Sequence, residues 1–127
     1  MAGELILIVE DNDKNMKLLR DVLGHRGYRT LEAVTGEEGV LLAREHIPAL
    51  VLMDILLPGI DGIQAFKQLA ADPATKDIPV IAVTASAMQE ERARIEAVGF
   101  AGYQPKPIQL KEFMAALDDV LSQGTHT

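Results

Sequence analysis

The chain has 127 residues, of which 48% are hydrophobic and 24% charged, a composition typical of a folded globular protein. It contains no cysteine, which excludes disulfides and thiolate metal sites. Nineteen acidic against twelve basic residues give a net charge of -7, which argues against a nucleic-acid-binding surface. Because no apolar stretch is long enough to span a membrane and the amino terminus does not resemble a signal peptide, we expect a cytoplasmic protein.

The amino-terminal part predicts a strand, a helix, a second strand and a second helix. Residues 5–9 form an apolar, β-branched run closed by Glu10 and Asp11, which is typical of a buried strand that ends in acids. Apolar residues then recur every three to four positions in a helix for which Asp13 is the candidate cap. Residues 28–34 predict a weaker strand, and Thr35 is placed to cap a helix that ends near His46.

The middle of the chain is a nearly unbroken apolar run over residues 49–54 that ends in Asp54. Such a run predicts a strand buried on both faces. Because burial of a lone carboxylate is costly, Asp54 should lie at the carboxyl edge of the strand, where solvent, a metal or a cation can reach it. A turn over 58–62 then leads into a helix that ends near residue 72.

The remaining sequence repeats the alternation of strand and helix. Residues 78–83 predict a strand that stops at Thr84, and residues 87–98 a charged helix. A short strand over 100–103 precedes Lys106, which lies between two prolines, and residues 109–121 predict an amphipathic last helix. We expect one domain over residues 1–122 and a flexible tail over 123–127.

Five strand–helix units in regular alternation predict an α/β fold with a doubly wound, five-stranded parallel sheet. The common strand order for five units is 2-1-3-4-5, the flavodoxin-like arrangement, and its ligand crevice opens between strands one and three. These are the two strands that end in acids. Glu10, Asp11 and Asp54 should therefore converge at the carboxyl edge, with Thr84 and Lys106 arriving from the ends of strands four and five.

Three carboxylates in one crevice repel each other unless a cation joins them. Mg²⁺ prefers oxygen ligands and is usually held by one or two carboxylates plus a phosphate, which suits a site without His or Cys. A carboxylate such as that of Asp54 can act as a nucleophile and form an aspartyl phosphate. Lys106 and Thr84 would then supply positive charge and a hydroxyl donor.

The segments ILIVEDN, LVLMDILLPGIDG and VTA, followed by Lys106–Pro107, together resemble the receiver domain of two-component response regulators. The resemblance extends from about Glu4 to Leu121, and it rests on the order and spacing of the motifs. Within the family, the chain is similar to single-domain regulators of the DivK type.

The resemblance implies roles for the acids. Asp54 matches the phosphoacceptor, Asp11 a direct Mg²⁺ ligand, and Glu10 the companion acid that acts through a bound water. Leu56 matches the position that offers its backbone carbonyl to the metal. Glu10 stands where aspartate is commoner, which lengthens the side chain but keeps its charge.

The resemblance also implies a switch and its partners. Lys106 matches the lysine that pairs with the phosphate, and the Lys106–Pro107 bond matches one that is typically cis. Thr84 matches the switch hydroxyl and Tyr103 the switch aromatic, which together remodel the surface of the fourth helix, fifth strand and fifth helix. The implied partners are a sensor histidine kinase or phosphotransfer protein and a downstream regulator.

Other functions remain open at this stage. The chain could be a relay intermediate, or a receiver excised from a larger regulator, since both would share these motifs. An aspartate-nucleophile phosphatase is a further alternative, although Leu56 occupies the place of its second acid. Leu56 and Ser86 match the positions that flank the attacking water, and neither carries an amide or carboxylate, so we predict slow self-dephosphorylation.

Overall fold

The computed structural model describes residues 3–85 and 89–124. The described chain alternates strand and helix: β1 (Leu5–Val9), α1 (Asp13–His25), β2 (Arg29–Ala33), α2 (Gly36–His46), β3 (Leu50–Asp54), α3 (Gly62–Ala71), β4 (Val80–Thr84), α4 (Gln89–Val98), β5 (Gly102–Pro105) and α5 (Leu110–Gly124). All paired strands are parallel and their order is β2-β1-β3-β4-β5. The predicted fold class and strand order are therefore confirmed.

The sheet is sandwiched between two layers of helices, because the strand interiors are apolar on both faces. β3 and β4 are buried along their whole length. On one face, Ile6, Ile8 and Leu52 pack with residues of α1 and α5. On the other, Leu7 and Val9 pack with residues of α2 and α3. We call these the α1/α5 face and the α2–α4 face, since Ile95 of α4 packs with Ala82 on the second of them.

Two predicted helix caps have different outcomes. Thr35 caps α2 as predicted, since its side chain accepts a hydrogen bond from the backbone N–H of Glu38 at 3.1 Å. The prediction of Asp13 as the cap of α1 is wrong. Asn12 occupies that position with extended backbone and accepts from the Asn15 N–H at 3.0 Å, while Asp13 is the first helical residue.

The last strand begins two residues later than the sequence predicts. The sequence predicts a strand over 100–103, whereas β5 runs from Gly102 to Pro105. Phe100 leaves the strand because its ring stacks on Phe66, with ring centroids 4.3 Å apart. Pro105 is tolerated because β5 is an edge strand, where one backbone N–H needs no ladder partner.

The two ends of the carboxyl-terminal half also differ slightly from expectation. α4 begins at Gln89, and residues 87–88 of the predicted helix lie outside the described residues. α5 continues through Gly124, two residues into the predicted tail, since the last apolar residues of its stripe, Val120 and Leu121, are buried. Residues 125–127 lie outside the described chain. Within the described chain, no helix is both long enough and apolar enough to span a membrane.

Candidate functional site at the carboxyl edge of the sheet

Strand register explains which side chains meet at the carboxyl edge. Asp54 pairs with Val83, and Val83 pairs with Gln104, so these three positions share a face of the sheet. Glu10 follows β1 by one residue and Lys106 follows β5 by one residue, which continues the same alternation. The two acids and the lysine therefore reach the edge on the α1/α5 face.

The charged side chains form one compact group. Lys106 Nζ lies 3.0 Å from Asp54 Oδ2 and 2.9 Å from Glu10 Oε1. The carboxylates of Glu10, Asp11 and Asp54 each offer an oxygen within 4.8 Å of the others. Glu10 and Asp54 are only 1% and 4% exposed, whereas Asp11 is open to solvent. The four residues that the sequence predicts to converge at this edge therefore lie together.

Burial and charge act on the two buried ionisable groups. Burial raises the pKa of Glu10 to about 7, and the neighbouring Asp54 adds to the rise while Lys106 opposes it. Burial alone would lower the pKa of Lys106. Its contacts with Glu10 and Asp54 outweigh that effect, so the pKa of Lys106 is raised. The single positive charge of Lys106 therefore does not neutralise the three clustered carboxylates.

The donor set fits a hard divalent cation. The Lys106–Glu10 contact is an ion pair without hydrogen-bond geometry, and Glu10 Oε1 is a buried oxygen with no hydrogen-bond partner in the described chain. The other Glu10 oxygen accepts from the Asn12 N–H at 3.1 Å. A buried carboxylate oxygen that accepts no hydrogen bond, next to two further carboxylates, suits Mg²⁺, which takes oxygen ligands.

The β3–α3 loop holds the Asp54 carboxylate from the other side. The backbone N–H of Leu56 donates to Asp54 Oδ1 at 3.1 Å, which places the Leu56 backbone at the site. The Leu56 side chain is 64% exposed. The Lys106–Pro107 peptide bond is cis, as the resemblance implied.

Gly62 supports the site and was missed by sequence reasoning, which interpreted residues 58–62 only as a turn. A Cβ at Gly62 would lie 2.3 Å from the Asp54 carbonyl oxygen, which is closer than two non-bonded atoms can approach. The Gly62 N–H donates to the Ile55 carbonyl at 2.9 Å. The only sequence signal was a glycine directly after the Asp61 helix cap. Nothing local in the sequence shows that this position touches Asp54.

Thr84 and Tyr103 lie on the other face. Thr84 pairs with Pro105 and Ala82 pairs with Tyr103, so Thr84 and Tyr103 are diagonal neighbours on the α2–α4 face. Thr84 is fully buried at the end of β4, and its carbonyl accepts the Lys106 N–H at 2.8 Å. Tyr103 is half-buried and packs against the cluster that includes Ala82 and Ile95. Ser86, the other residue predicted to flank the attacking water, lies outside the described residues.

Comparison with known proteins decides the family. The model of the response regulator receiver domain matches residues 6–118 of the chain. This chain belongs to the response regulator receiver family. It is 45% identical over 119 residues to the polar-differentiation response regulator DivK of Brucella ovis, covering 94% of this chain and 97% of that protein.

Solved structures support the same assignment. The receiver domain of a sensor histidine kinase from Pseudomonas aeruginosa, with a magnesium ion coordinated in its active site cleft, is 32% identical with a TM-score of 0.88. That comparison covers 95% of this chain and 99% of the other. The chemotaxis protein CheY4 of Vibrio cholerae, at 23% identity, shows the same fold with a TM-score of 0.87, over 94% of this chain and 99% of that one. The receiver domains of DivK and CheY are signalling proteins, not metabolic enzymes.

Proposed function

We propose that Asp54 accepts a phosphoryl group from a histidine kinase or a phosphotransfer protein, and that the chain acts as a phosphorylation switch. The observation that carries the proposal is the surroundings of Asp54, a nearly buried strand-end carboxylate 3.0 Å from a lysine amine and grouped with two more acids. Pairing of a buried acid with a cation at a crevice is typical of functional sites.

In the proposed transfer, one Asp54 oxygen forms a bond to phosphorus while the bond from phosphorus to the donor imidazole nitrogen breaks. The imidazole keeps that electron pair. Lys106, which now contacts Asp54 Oδ2, would pair with a phosphoryl oxygen and lower the charge that builds up there. The Leu56 N–H fixes the orientation of the carboxylate through Oδ1.

Mg²⁺ is the proposed cofactor, held by the side chains of Asp11 and Asp54, by the Leu56 carbonyl and, through water, by Glu10. When bound, it would neutralise charge on the phosphoryl oxygens and orient them. Support comes from the clustered carboxylates, from Glu10 Oε1, which accepts no hydrogen bond in the described chain, and from the magnesium described for the Pseudomonas receiver.

The proposed output is a change in partner binding at the surface of α4, β5 and α5. Thr84 would move its hydroxyl toward the phosphoryl group, and Tyr103, its diagonal neighbour, would follow. The partner downstream is then a protein that distinguishes the two forms of this surface. A cytoplasmic location belongs to the same proposal.

Phosphorylation can be tested with acetyl phosphate and MgCl₂, read by intact mass. We expect an adduct on the wild type, none on Asp54→Asn, and none when EDTA removes the metal. Asp77→Asn is the matched control, because Asp77 is an exposed acid away from the charged group. An unmodified wild type, or an adduct that survives Asp54→Asn, would overturn the proposal.

The alternatives from the sequence predict other results. Release of inorganic phosphate with sustained turnover of p-nitrophenyl phosphate would favour the phosphatase, but the position of its second acid holds an exposed leucine, Leu56. Transfer of the phosphoryl group from Asp54 to a histidine phosphotransfer protein would identify a relay intermediate. The first outcome is measured with the unmodified protein and added substrate, and the second with the phosphorylated protein.

A further inference from the structure

Arg92 of α4 contacts the ring of Tyr103. Its guanidinium carbon lies 5.2 Å from the Tyr103 ring centroid, which is within the range of a cation–π interaction. The Arg92 Nε also donates to Glu96 Oε1 at 3.2 Å, one helical turn further along the same helix. Glu96 therefore contacts the same guanidinium that lies over the ring.

The position of Arg92 on α4 suits this contact. Ile95 is fully buried beside Tyr103 and Ala82, and it fixes the face of α4 that meets the sheet. Arg92 precedes Ile95 by three residues and so lies on the same face, one turn nearer the start of α4. Because α4 follows β4, that start lies at the carboxyl edge, on the side where Thr84 ends its strand.

A second arginine on the same helix shows what is particular to Arg92. Arg94 pairs with Glu91 at 3.2 Å, and its side chain is as exposed as that of Arg92. A surface ion pair between neighbouring turns of one helix contributes little to stability. Among residues 3–85 and 89–124, Arg92 is the residue with a cation over an aromatic ring.

We propose that Arg92 is a positioning residue that holds Tyr103 in its unphosphorylated placement and so sets the threshold of the switch. This inference rests on the proposed function, in which Tyr103 moves when Asp54 is phosphorylated. A contact made in one state alone shifts the equilibrium by its own free energy. By linkage, loss of the contact must tighten binding of a phosphoryl mimic at Asp54.

The expected size follows from the strength of the contact. An exposed cation–π interaction changes an equilibrium by roughly two- to fivefold. Arg92→Ala should therefore bind the phosphoryl mimic beryllofluoride, in the presence of Mg²⁺, about two- to fivefold more tightly. Arg92→Lys keeps a cation and should recover part of the wild-type affinity, whereas Arg94→Ala should leave the affinity unchanged.

The composition of the chain provides the probe. It has no tryptophan and two tyrosines, so Tyr28→Phe leaves Tyr103 as the single intrinsic fluorophore. Titration of beryllofluoride with MgCl₂ into this background, read by Tyr103 fluorescence, gives the affinity for each variant. Equal affinities for Arg92→Ala and Arg94→Ala, or weaker binding by Arg92→Ala, would overturn the inference.

A ligand-free measurement separates failure of this inference from failure of the proposed function. Acrylamide quenching of Tyr103 fluorescence should rise in Arg92→Ala relative to Arg94→Ala, because the guanidinium no longer holds the ring. If no variant binds beryllofluoride and no acetyl phosphate adduct forms, the proposed function fails, and Arg92 then sets no switch threshold. If binding occurs but quenching is equal in the two variants, the proposed function stands and the role of Arg92 is refuted.

Discussion

The two faces of the sheet differ at the carboxyl edge although the strands beneath are apolar on both. The α1/α5 face carries Glu10, Asp54 and Lys106, with Nζ to carboxylate distances of 2.9 and 3.0 Å. The α2–α4 face carries Thr84 and Tyr103, which are neutral. The change from one face to the other is a single step in strand alternation, from Asp54 and its partner Val83 to Thr84.

In the proposed function, one face of this edge would accept the phosphoryl group and the other would change the surface that partners bind. Charged groups that would bind and stabilise a phosphoryl group meet on one face, where each acid needs a cation. The residues that would report its presence meet on the other, where α4 can respond to them. Thr84 connects the two, since its carbonyl also accepts the Lys106 N–H. Substitutions confined to one face should therefore separate stability and phosphorylation from the response.

The largest effect is expected from Lys106→Met on the charged face. Two buried carboxylates would lose the cation between them, so without metal the free energy of unfolding should fall by about 2 to 4 kcal/mol. Added MgCl₂ should restore much of this loss, because the ion replaces the missing charge. Urea unfolding with EDTA and with MgCl₂ measures both quantities.

Lys17→Met is the matched control for that experiment. Lys17 pairs with Asp21 at 2.6 Å, but both side chains are mostly exposed, so its loss should change stability by less than about 1 kcal/mol. Equal losses of unfolding free energy in the two variants would show that Glu10 and Asp54 do not need Lys106 to balance their charge.

Gly62→Ala should give the next largest effect, because Gly62 of α3 lies against the backbone of Asp54 itself. The new Cβ would lie 2.3 Å from the Asp54 carbonyl oxygen and 2.8 Å from the Ile55 Cα, so backbone must move. We expect a destabilisation of about 2 kcal/mol and slower phosphorylation of Asp54 by acetyl phosphate. Thermal unfolding and intact mass measure the two effects.

Gly24→Ala provides the control, because a Cβ at Gly24 meets nothing within 4 Å inside α1. This change should stabilise the protein by roughly 0.5 to 1 kcal/mol through helix propensity. A Gly62→Ala protein as stable and as readily phosphorylated as the wild type would mean that α3 does not position Asp54.

Leu56→Asn tests the β3–α3 loop, which lies at the carboxyl edge next to Asp54. The exposed leucine offers no group that could orient water, whereas an amide could hold the attacking water in line with the phosphorus–oxygen bond that breaks. We expect the purified phosphoprotein to lose phosphate roughly tenfold faster, a decrease of about 1.4 kcal/mol in the barrier. The decay is followed by intact mass after acetyl phosphate is removed.

Leu56→Ala separates orientation from shielding in the same assay. It removes the apolar side chain without adding an amide, so the decay should stay near the wild-type rate. A Leu56→Asn protein that decays no faster than the wild type would refute the explanation of slow dephosphorylation.

Most of the fold and the charged group could be predicted from sequence, because both depend on strong local patterns. Runs such as residues 49–54 are too apolar to be anything but buried, and an acid at the end of such a run needs a cation. Parallel strands bring their carboxyl ends to one edge, which placed Glu10, Asp11, Asp54 and Lys106 together.

Some features could not be predicted because two adjacent residues are almost equally suitable for the same position. Others depend on contacts between segments that are distant in the sequence. Asn12 and Asp13 are adjacent and both are favourable cap residues, so residue type alone does not decide between them. The start of β5 depends on the stacking of Phe100 on Phe66 from α3. Gly62 and Arg92 are ordinary residues in the sequence, and only the packing of α3 and α4 against the sheet gives them a role.

Gln104 allows the smallest and most specific test of the charged face. It lies two residues before Lys106 on the same face and is only 8% exposed. Gln104→Leu keeps a similar volume and removes a polar group that burial disfavours, so stability should rise by about 1 kcal/mol. The same change at Gln64 should destabilise, because that side chain accepts the Asp61 N–H at 3.1 Å in the cap of α3. If urea unfolding shows that Gln104→Leu also destabilises the protein, the Gln104 amide makes a stabilising polar contact. The polar group at the edge would then include Gln104 as well as Lys106.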